Sequence, residues 1–238
     1  MPVYQVKLLS KREVARNTFL FIFEKPADFT FIPGQYGGFT LIDPPIKDAN
    51  GITRRFSLLS SPDDNYLSLV TRIQTSAYKK VLNAMTIGSL IKFAGPSGQF
   101  ILHTDNTIPA IFIAGGIGIT PFYSMLRYIS THQLPYKIIL FYGNQSLEDA
   151  PLLPELEEIQ KMNSNFKMVL TLNSPPTKWQ GEIGFITRDM IRKYTQDYSN
   201  ANYYVCGSPV MVTALQETLV EMNIPPDAIK VEDFPGYR

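Results

Sequence analysis

The sequence predicts two successive architectures, an N-terminal antiparallel β-barrel and then an α/β unit built on a parallel five-stranded sheet. Three observations carry this. Short strand-like segments separated by Gly, Pro and Asp breakers fill the first part of the chain. After Thr104-Asp105-Asn106 the rhythm changes to alternating strands and helices. The first strand-to-helix junction of that second part is the glycine-rich segment AGGIGITPF, Ala114 to Phe122. The linker falls near residues 103–108, so residues 1–104 and 105–238 are expected to form separate domains.

In the first part, residues 3–9, 18–24, 38–43, 56–60 and 67–71 read as strands, broken by PADFTFIPG, DPPIKDANG and SSPDDN. Residues 76–85 read as one short helix, and 90–94 as a last strand ending at GPSG. In the second part the strands are 110–114, 137–143, 166–172, 203–207 and 229–232. Helices are expected at 121–131, 152–161, 187–194 and 209–222. IPAIFI, before the glycines, has the unbroken apolar character of a strand covered on both faces. Beyond them, Phe122, Met125, Leu126 and Ile129 recur at helical spacing. That places a helix start near Pro121, with Thr120 as its N-cap and proline at the first position, where no N–H is needed.

Composition removes several kinds of chemistry. Among 238 residues there are 22 basic and 21 acidic side chains and no basic block, so nothing supports nucleic-acid binding. The charged start MPVYQVKLLSKREV is unlike a signal peptide, and no apolar run is long enough to span a membrane. A cytoplasmic location and no stable membrane insertion are expected. One cysteine, Cys206, and two histidines, His103 and His132, are too few for an iron–sulfur cluster or a structural zinc site. No metal is therefore expected, and redox work would have to run on an organic cofactor or a partner. His103 is read as a residue of the domain joint, His132 as a helix-end residue, and Trp179 as loop packing.

Two segments point to a ligand. Gly115, Gly116 and Gly118 let bare backbone N–H groups approach an anion, and the positive end of the following helix dipole faces the same spot. The segment departs from GxGxxG, because Pro121 fills the last small-residue slot. Alone, it fits a pyrophosphate seat and a tight α/β turn equally well. The second segment, TRRFSLLSSP from Thr53 to Pro62, sets arginine, aromatic and hydroxyl side chains on one strand. Such a set suits a phosphate, a flat ring and a hydrogen-bonding atom of one ligand, and it also suits an ordinary barrel strand.

Together these segments resemble the ferredoxin–NADP reductase family. Arg54-Arg55-Phe56-Ser57 is similar to its R-x-(Tyr/Phe)-(Ser/Thr) flavin motif. The glycine loop is similar to its GGxGxTP nucleotide loop, and Cys206-Gly207-Ser208-Pro209 to its C-G-x-P element. Glu232-Asp233-Phe234 is similar to its terminal Glu-x-aromatic, and the motifs run in family order along the whole chain. The resemblance implies FAD as cofactor and NAD(P)H as co-substrate. It implies that Arg54 pairs with the FAD pyrophosphate, that Phe56 stacks on the flavin without the hydroxyl of the commoner tyrosine, and that Ser57 serves flavin N5. Leu58, Thr71 and Arg72 match further flavin contacts, and Ser76 either serves the pyrophosphate or acts as a plain N-cap. Gly115, Gly116, Gly118 and Thr120 would surround the nicotinamide dinucleotide, with Thr120 also near the flavin. Tyr142, Gly143 and Asn144 lie at the edge where such sheets bind ligands, and Cys206, Gly207 and Pro209 border the nicotinamide. Ser57, Cys206 and Glu232 would be the catalytic set, with Cys206 not a nucleophile. Phe234 or Tyr237 would cover the flavin and have to move before the nicotinamide can stack.

The activity implied is hydride transfer from NAD(P)H to FAD, with electrons passed to an acceptor such as ferredoxin, flavodoxin or a small molecule. An NAD(P)H:flavin reductase using free flavin, and a non-catalytic nucleotide-binding docking subunit, are the alternatives. Asn144 and Gln145 stand where many relatives carry an arginine for the 2′-phosphate, and Lys178 and Arg188 are possible substitutes. The nucleotide is left open between NADH and NADPH.

Overall fold

The computed structural model describes residues 2–196 and 200–235. Its first part holds strands β1 (Val3–Ala15), β2 (Thr18–Glu24), β3 (Tyr36–Leu41), β4 (Thr53–Ser57), β5 (Tyr66–Arg72) and β6 (Leu90–Ser97). They form an antiparallel sheet in the order β4-β3-β6-β1-β2-β5. The edge strands β4 and β5 come back into contact, which curls the sheet towards a barrel. Phe23, Phe39 and Phe93 fill its interior, with ring centroids 5.5 Å apart for Phe23–Phe39 and 5.0 Å for Phe39–Phe93. Helix α1 (Ala77–Ala84) closes one end, where the buried Tyr78 hydroxyl donates to the Phe39 carbonyl at 2.9 Å.

β1 runs six residues past its expected end. Residues SKREVA lack apolar alternation, but their backbone still pairs with β2 through two irregularities, at Leu8/Ser10 and Glu13/Ala15. β4 begins and ends earlier than expected, so Ser57 closes it. Leu58 has already turned away, donating its N–H to Gln35.

The second part holds β7 (Ala110–Gly115), α2 (Ile119–Thr131), β8 (Ile138–Asn144), α3 (Leu153–Met162), β9 (Phe166–Leu172) and β10 (Glu182–Ile183). Then come α4 (Arg188–Thr195), β11 (Asn202–Gly207), α5 (Pro209–Glu221) and β12 (Ile229–Asp233). The sheet is wholly parallel, in the order β10-β9-β8-β7-β11-β12. It has six strands, not the five expected. The extra one, β10, is two residues long, too short for any periodic signal, and pairs with Thr171 and Leu172.

β7 shows why its sequence is apolar throughout. Phe112 and Ala114 face a cluster with Phe122, Leu126 and Leu156, while Ile111 and Ile113 face the opposite cluster with Ile191, Val212 and Leu219. Helix α2 also begins earlier than expected. A 3₁₀ turn, Gly116–Gly118, feeds straight into it, and Thr120 is a buried first-turn residue, not the cap. Its hydroxyl donates backwards to the Ile117 carbonyl at 2.7 Å.

The two parts share one apolar cluster. Leu20, Leu59, Val70 and Phe100 from the first pack in the same group as Phe112, Phe122 and Met125 from the second. A fork from Arg127 to Asp64, at 2.5 and 3.0 Å, and a bond from Ser124 Oγ to the Ser60 carbonyl at 2.7 Å fasten the seam. His103, in the segment that connects β6 to β7, turns its ring to the second part, bonded to the Tyr204 hydroxyl and the Ile108 carbonyl, each at 2.8 Å. Burial holds its pKa below the ordinary 6.5.

Candidate active site

The parallel sheet reverses its winding direction beside β7, with β8 on one side and β11 on the other. Crevices at the carboxyl ends of such strands are where α/β sheets bind ligands. Two cavities meet there. One, of 660 Å³, lies against the barrel and is walled by Arg54, Phe56 and Ser57 of β4, Ser76 and Lys79 of the α1 region, and Thr120 and Glu232. The other, of 590 Å³, lies over the sheet and is walled by Gly115, Gly116, Gly118, Gly143, Asn144 and Gly207, with Arg72 and Asp149. Ile117 and Phe234 line both. Phe234 is anchored by its N–H, which donates to the Gly207 carbonyl at 2.9 Å.

Strand pairing brings the junction together. Cys206 of β11 stands in register with Ala114 on one side and Glu232 on the other. Ser57, at the end of β4 and 3% exposed, points its hydroxyl at Glu232 and donates to Oε2 at 3.4 Å. The serine, the carboxylate and the glycine turn therefore converge from three elements distant in sequence.

Other expected residues fall elsewhere. Leu58, Thr71, Tyr142 and Cys206 are buried side chains, and neither they nor Pro209 contribute to either wall among the described residues. Tyr142 instead supports the turn from beneath, its hydroxyl donating to the Pro151 carbonyl at 2.9 Å and to that of Gly116 at 3.4 Å. Arg72, expected beside the flavin, lines the sheet-side cavity, where Nη2 donates to the Asp149 carbonyl at 3.2 Å. Thr120, expected in both seats, lines only the barrel-side one. Lys178 and Arg188 are on neither wall, and Arg188 is paired with Glu221. Trp179 is loop packing, its indole N–H donating to the Glu182 carbonyl at 2.8 Å. Tyr237 lies outside the described residues.

Sequence reading missed Ile117, Lys79 and Asp48. Ile117 stood within the glycine segment. Lys79 follows Ser76 by three residues, a spacing that puts both on one helix face. Asp48 had no local signal.

The electrostatics are uneven. Burial holds Lys79 down to about 8, helped by repulsion from Arg54 and Arg72, so cations crowd this side of the barrel cavity. Asp48 answers them, accepting from Arg54 Nη2 and from the Ala77 N–H, each at 3.0 Å. An acceptor-only anion is thus already held by the start of α1 and a guanidinium, the donor set a pyrophosphate requires. The sheet-side cavity fits a second phosphate group through bare backbone. Gly116 has φ +52, and a Cβ there would meet nothing within 4 Å, so the space beside it is open to a ligand.

Cys206 is wholly buried, and burial with Glu232 and Asp233 nearby raises its pKa well above the ordinary 9.0. It remains a neutral thiol, unsuited to nucleophilic work. Burial also raises Glu232, from 4.5 to about 7, against the opposing bond from Ser57. Unfolded, this carboxyl ionises near 4.5, whereas folded it keeps its proton to about pH 7. The stability it confers is full below the unfolded value and is lost as pH rises through the folded one. Glu232→Gln should therefore gain on the parent by roughly 2–3 kcal/mol between pH 4 and pH 8, read from urea midpoints. A difference independent of pH would show that Glu232 ionises normally.

The chain matches two family models, the oxidoreductase FAD-binding domain over residues 5–101 and the oxidoreductase NAD-binding domain over residues 112–217. It is 32% identical to NADH-cytochrome b5 reductase 1 of Cryptococcus neoformans var. neoformans serotype D, across 95% of this chain and 82% of that protein. Among solved structures, the cytochrome b5 reductase domain of Ulva prolifera nitrate reductase superposes with a TM-score of 0.82 at 22% identity, covering 97% of each chain. A ferredoxin NADP+ reductase from Neisseria gonorrhoeae with bound FAD and NADP also gives 0.82, at 18% identity, covering 97% of this chain and 98% of that one. At those identities the structural likeness speaks to the fold.

Proposed function

Because the chain belongs to the ferredoxin–NADP reductase-like family of FAD- and NAD-binding oxidoreductases, we propose that its two cavities seat FAD and a nicotinamide dinucleotide for direct hydride transfer at their junction. The observation that carries this is the common wall of Ile117 and Phe234, with Ser57 and Glu232 beside it. Residues 1–104 would act as the FAD-binding domain and 105–238 as the nucleotide-binding domain. FAD, when bound, supplies the two-electron acceptor and the means to pass electrons on one at a time.

The chain's own residues do the rest. Arg54, Ser76 and the start of α1 hold the pyrophosphate of one dinucleotide, and the glycine turn after β7 holds that of the other. Ser57 Oγ orients the reacting edge of the flavin ring. The Glu232 carboxyl keeps a proton beside that hydroxyl up to about pH 7. Phe234 keeps water from the junction and yields to the nicotinamide. Cys206 backs the glycine turn through its backbone, which lies against Gly118.

NADH is the proposed donor. The edge beyond β8 and β9 carries uncharged Asn144, Gln145 and Asn173, with the acidic Asp149 nearby. Gln145 accepts from Asn173 and donates to the Ser174 hydroxyl, an uncharged cluster suited to ribose hydroxyls, not to a 2′-phosphate dianion. The proposed acceptor is a separate small redox protein. The names of the relatives favour a haem protein of the cytochrome b5 kind over ferredoxin or flavodoxin. The reaction would take place in the cytoplasm, and no helix among the described residues is long and apolar enough to cross a membrane. Reduction of freely exchanging flavin is a second reading, favoured by the engagement of Arg54 with Asp48.

Anaerobic titration of the FAD-loaded protein tests the core of this. One equivalent of NADH should bleach the flavin, NADPH should do so far more slowly, and the reduced protein should then reduce added cytochrome b5. A flavin that binds but is bleached by neither nucleotide would leave a non-catalytic docking subunit. Rapid reduction of free flavin with none of cytochrome b5, ferredoxin or flavodoxin would establish the second reading.

A further inference from the structure

We propose that Asp48 is a built-in competitor for the FAD pyrophosphate: its carboxylate occupies the phosphate donors at the start of α1, and FAD binds by displacing it. This rests on the reading of the barrel-side cavity as the FAD seat. Asp48 Oδ2 accepts from the Ala77 N–H at 3.0 Å and from Ser76 Oγ at 3.4 Å. Its Oδ1 accepts from Arg54 Nη2 and from the Asn50 N–H, each at 3.0 Å. A carboxylate and a phosphate are both acceptor-only anions, so they want these donors on the same terms and cannot hold them together.

The carrier of Asp48 is built to leave. It stands in the connection between β3 and β4, where residues 45–47 and 49–51 are exposed and no regular structure forms. Asp48 closes a turn by its own backbone, accepting from the Gly51 N–H at 3.0 Å, with Gly51 at φ +75 and open space around it. Swinging the carboxylate into water gives up the bond from the exposed Asn50 N–H, which water can replace, and disturbs no packed side chain. Arg54 does not collapse when this happens, because Nη1 is held independently by the carbonyls of Asn50, Gly51 and Thr53 at 2.8 to 3.0 Å. Partial burial pushes the Asp48 pKa up, but the Arg54 and Ala77 bonds outweigh it and hold the group below its ordinary 3.8. The competitor is ionised throughout the neutral range.

The consequence is a cofactor held less tightly than its donor set permits, which keeps the flavin exchangeable. The test uses flavin-stripped full-length protein and the quenching of flavin fluorescence. Asp48→Asn keeps the side-chain shape but weakens the competitor, and its FAD dissociation constant should fall about tenfold. Asp48→Ala should shift it the same way. Riboflavin, which has no phosphate, should bind all three forms alike. Unchanged or weaker FAD binding by both variants would make Asp48 an orienting partner of Arg54 and overturn the proposal. So would equal tightening towards FAD and riboflavin. Failure of every form, the parent included, to bind FAD would overturn the seat itself and this inference with it.

Discussion

Ser57→Ala is expected to slow reduction of bound FAD by NADH about a hundredfold while leaving FAD affinity nearly unchanged. Ser57 is the last residue of β4, paired across from Tyr36, and its hydroxyl is aimed away from the barrel interior at the carboxyl group of Glu232. That bond is long, 3.4 Å, so it contributes little to folding and leaves the hydroxyl available to a better-placed acceptor. Alanine removes one oxygen and alters neither the strand nor its packing. A preorganised donor in a site closed to water is worth far more to a developing charge than to a ground state, because it needs no rearrangement at the moment of reaction. Stopped-flow measurement of flavin bleaching in a single turnover isolates that step. A rate within threefold of the parent would remove Ser57 from the chemistry; a protein that no longer retains FAD would make it a binding residue instead.

The second large effect concerns the turn after β7. Gly118→Ala is expected to destabilise the protein by more than about 3 kcal/mol. At φ −59 and ψ −8 this glycine has a conformation open to any residue, so space alone demands it. A Cβ would fall 2.1 Å from the Cys206 carbonyl oxygen, 2.6 Å from its carbon and 2.9 Å from Gly207 Cα. All three are backbone atoms of β11, which is hydrogen-bonded to strands on both sides and cannot step back alone. Gly116→Ala is the control. There the conformation is left-handed, φ +52, while the space is empty, and the cost should be only about 1 kcal/mol. Urea denaturation of the two variants separates the cases. Equal losses would mean that β11 and α2 are less closely packed than the contact at Gly118 requires.

The same turn marks how far the sequence could be read. Its strand was plain, because Ile111 to Ala114 is apolar on both faces and only a strand covered on both sides looks like that. Its helix start was not, because Thr120-Pro121 follows the usual capping pattern while the hydroxyl of Thr120 is spent on the carbonyl of Ile117. β10 escaped because two residues carry no period. In the site, motifs identified Arg54, Ser57, Gly116 and Glu232, which share walls or contacts at the junction. Motif position did not reveal side-chain direction. Thr71 and Arg72 are neighbours on β5, yet one is buried and the other lines the opposite cavity from the one expected. Asp48 was invisible for a different reason: its importance comes from meeting Ala77, 29 residues later, and no local pattern records such a meeting.

The apolar cluster that Leu20, Leu59, Val70 and Phe100 share with Phe112 and Phe122 has one more consequence. Rotating one half of the molecule on the other would tear that cluster and expose its side chains to water, at roughly 1.5–3 kcal/mol for each one fully exposed. The spacing of the two cavities is consequently set when the chain folds. Any rearrangement that admits both ligands then falls to the side chains where the cavities meet, Phe234 among them.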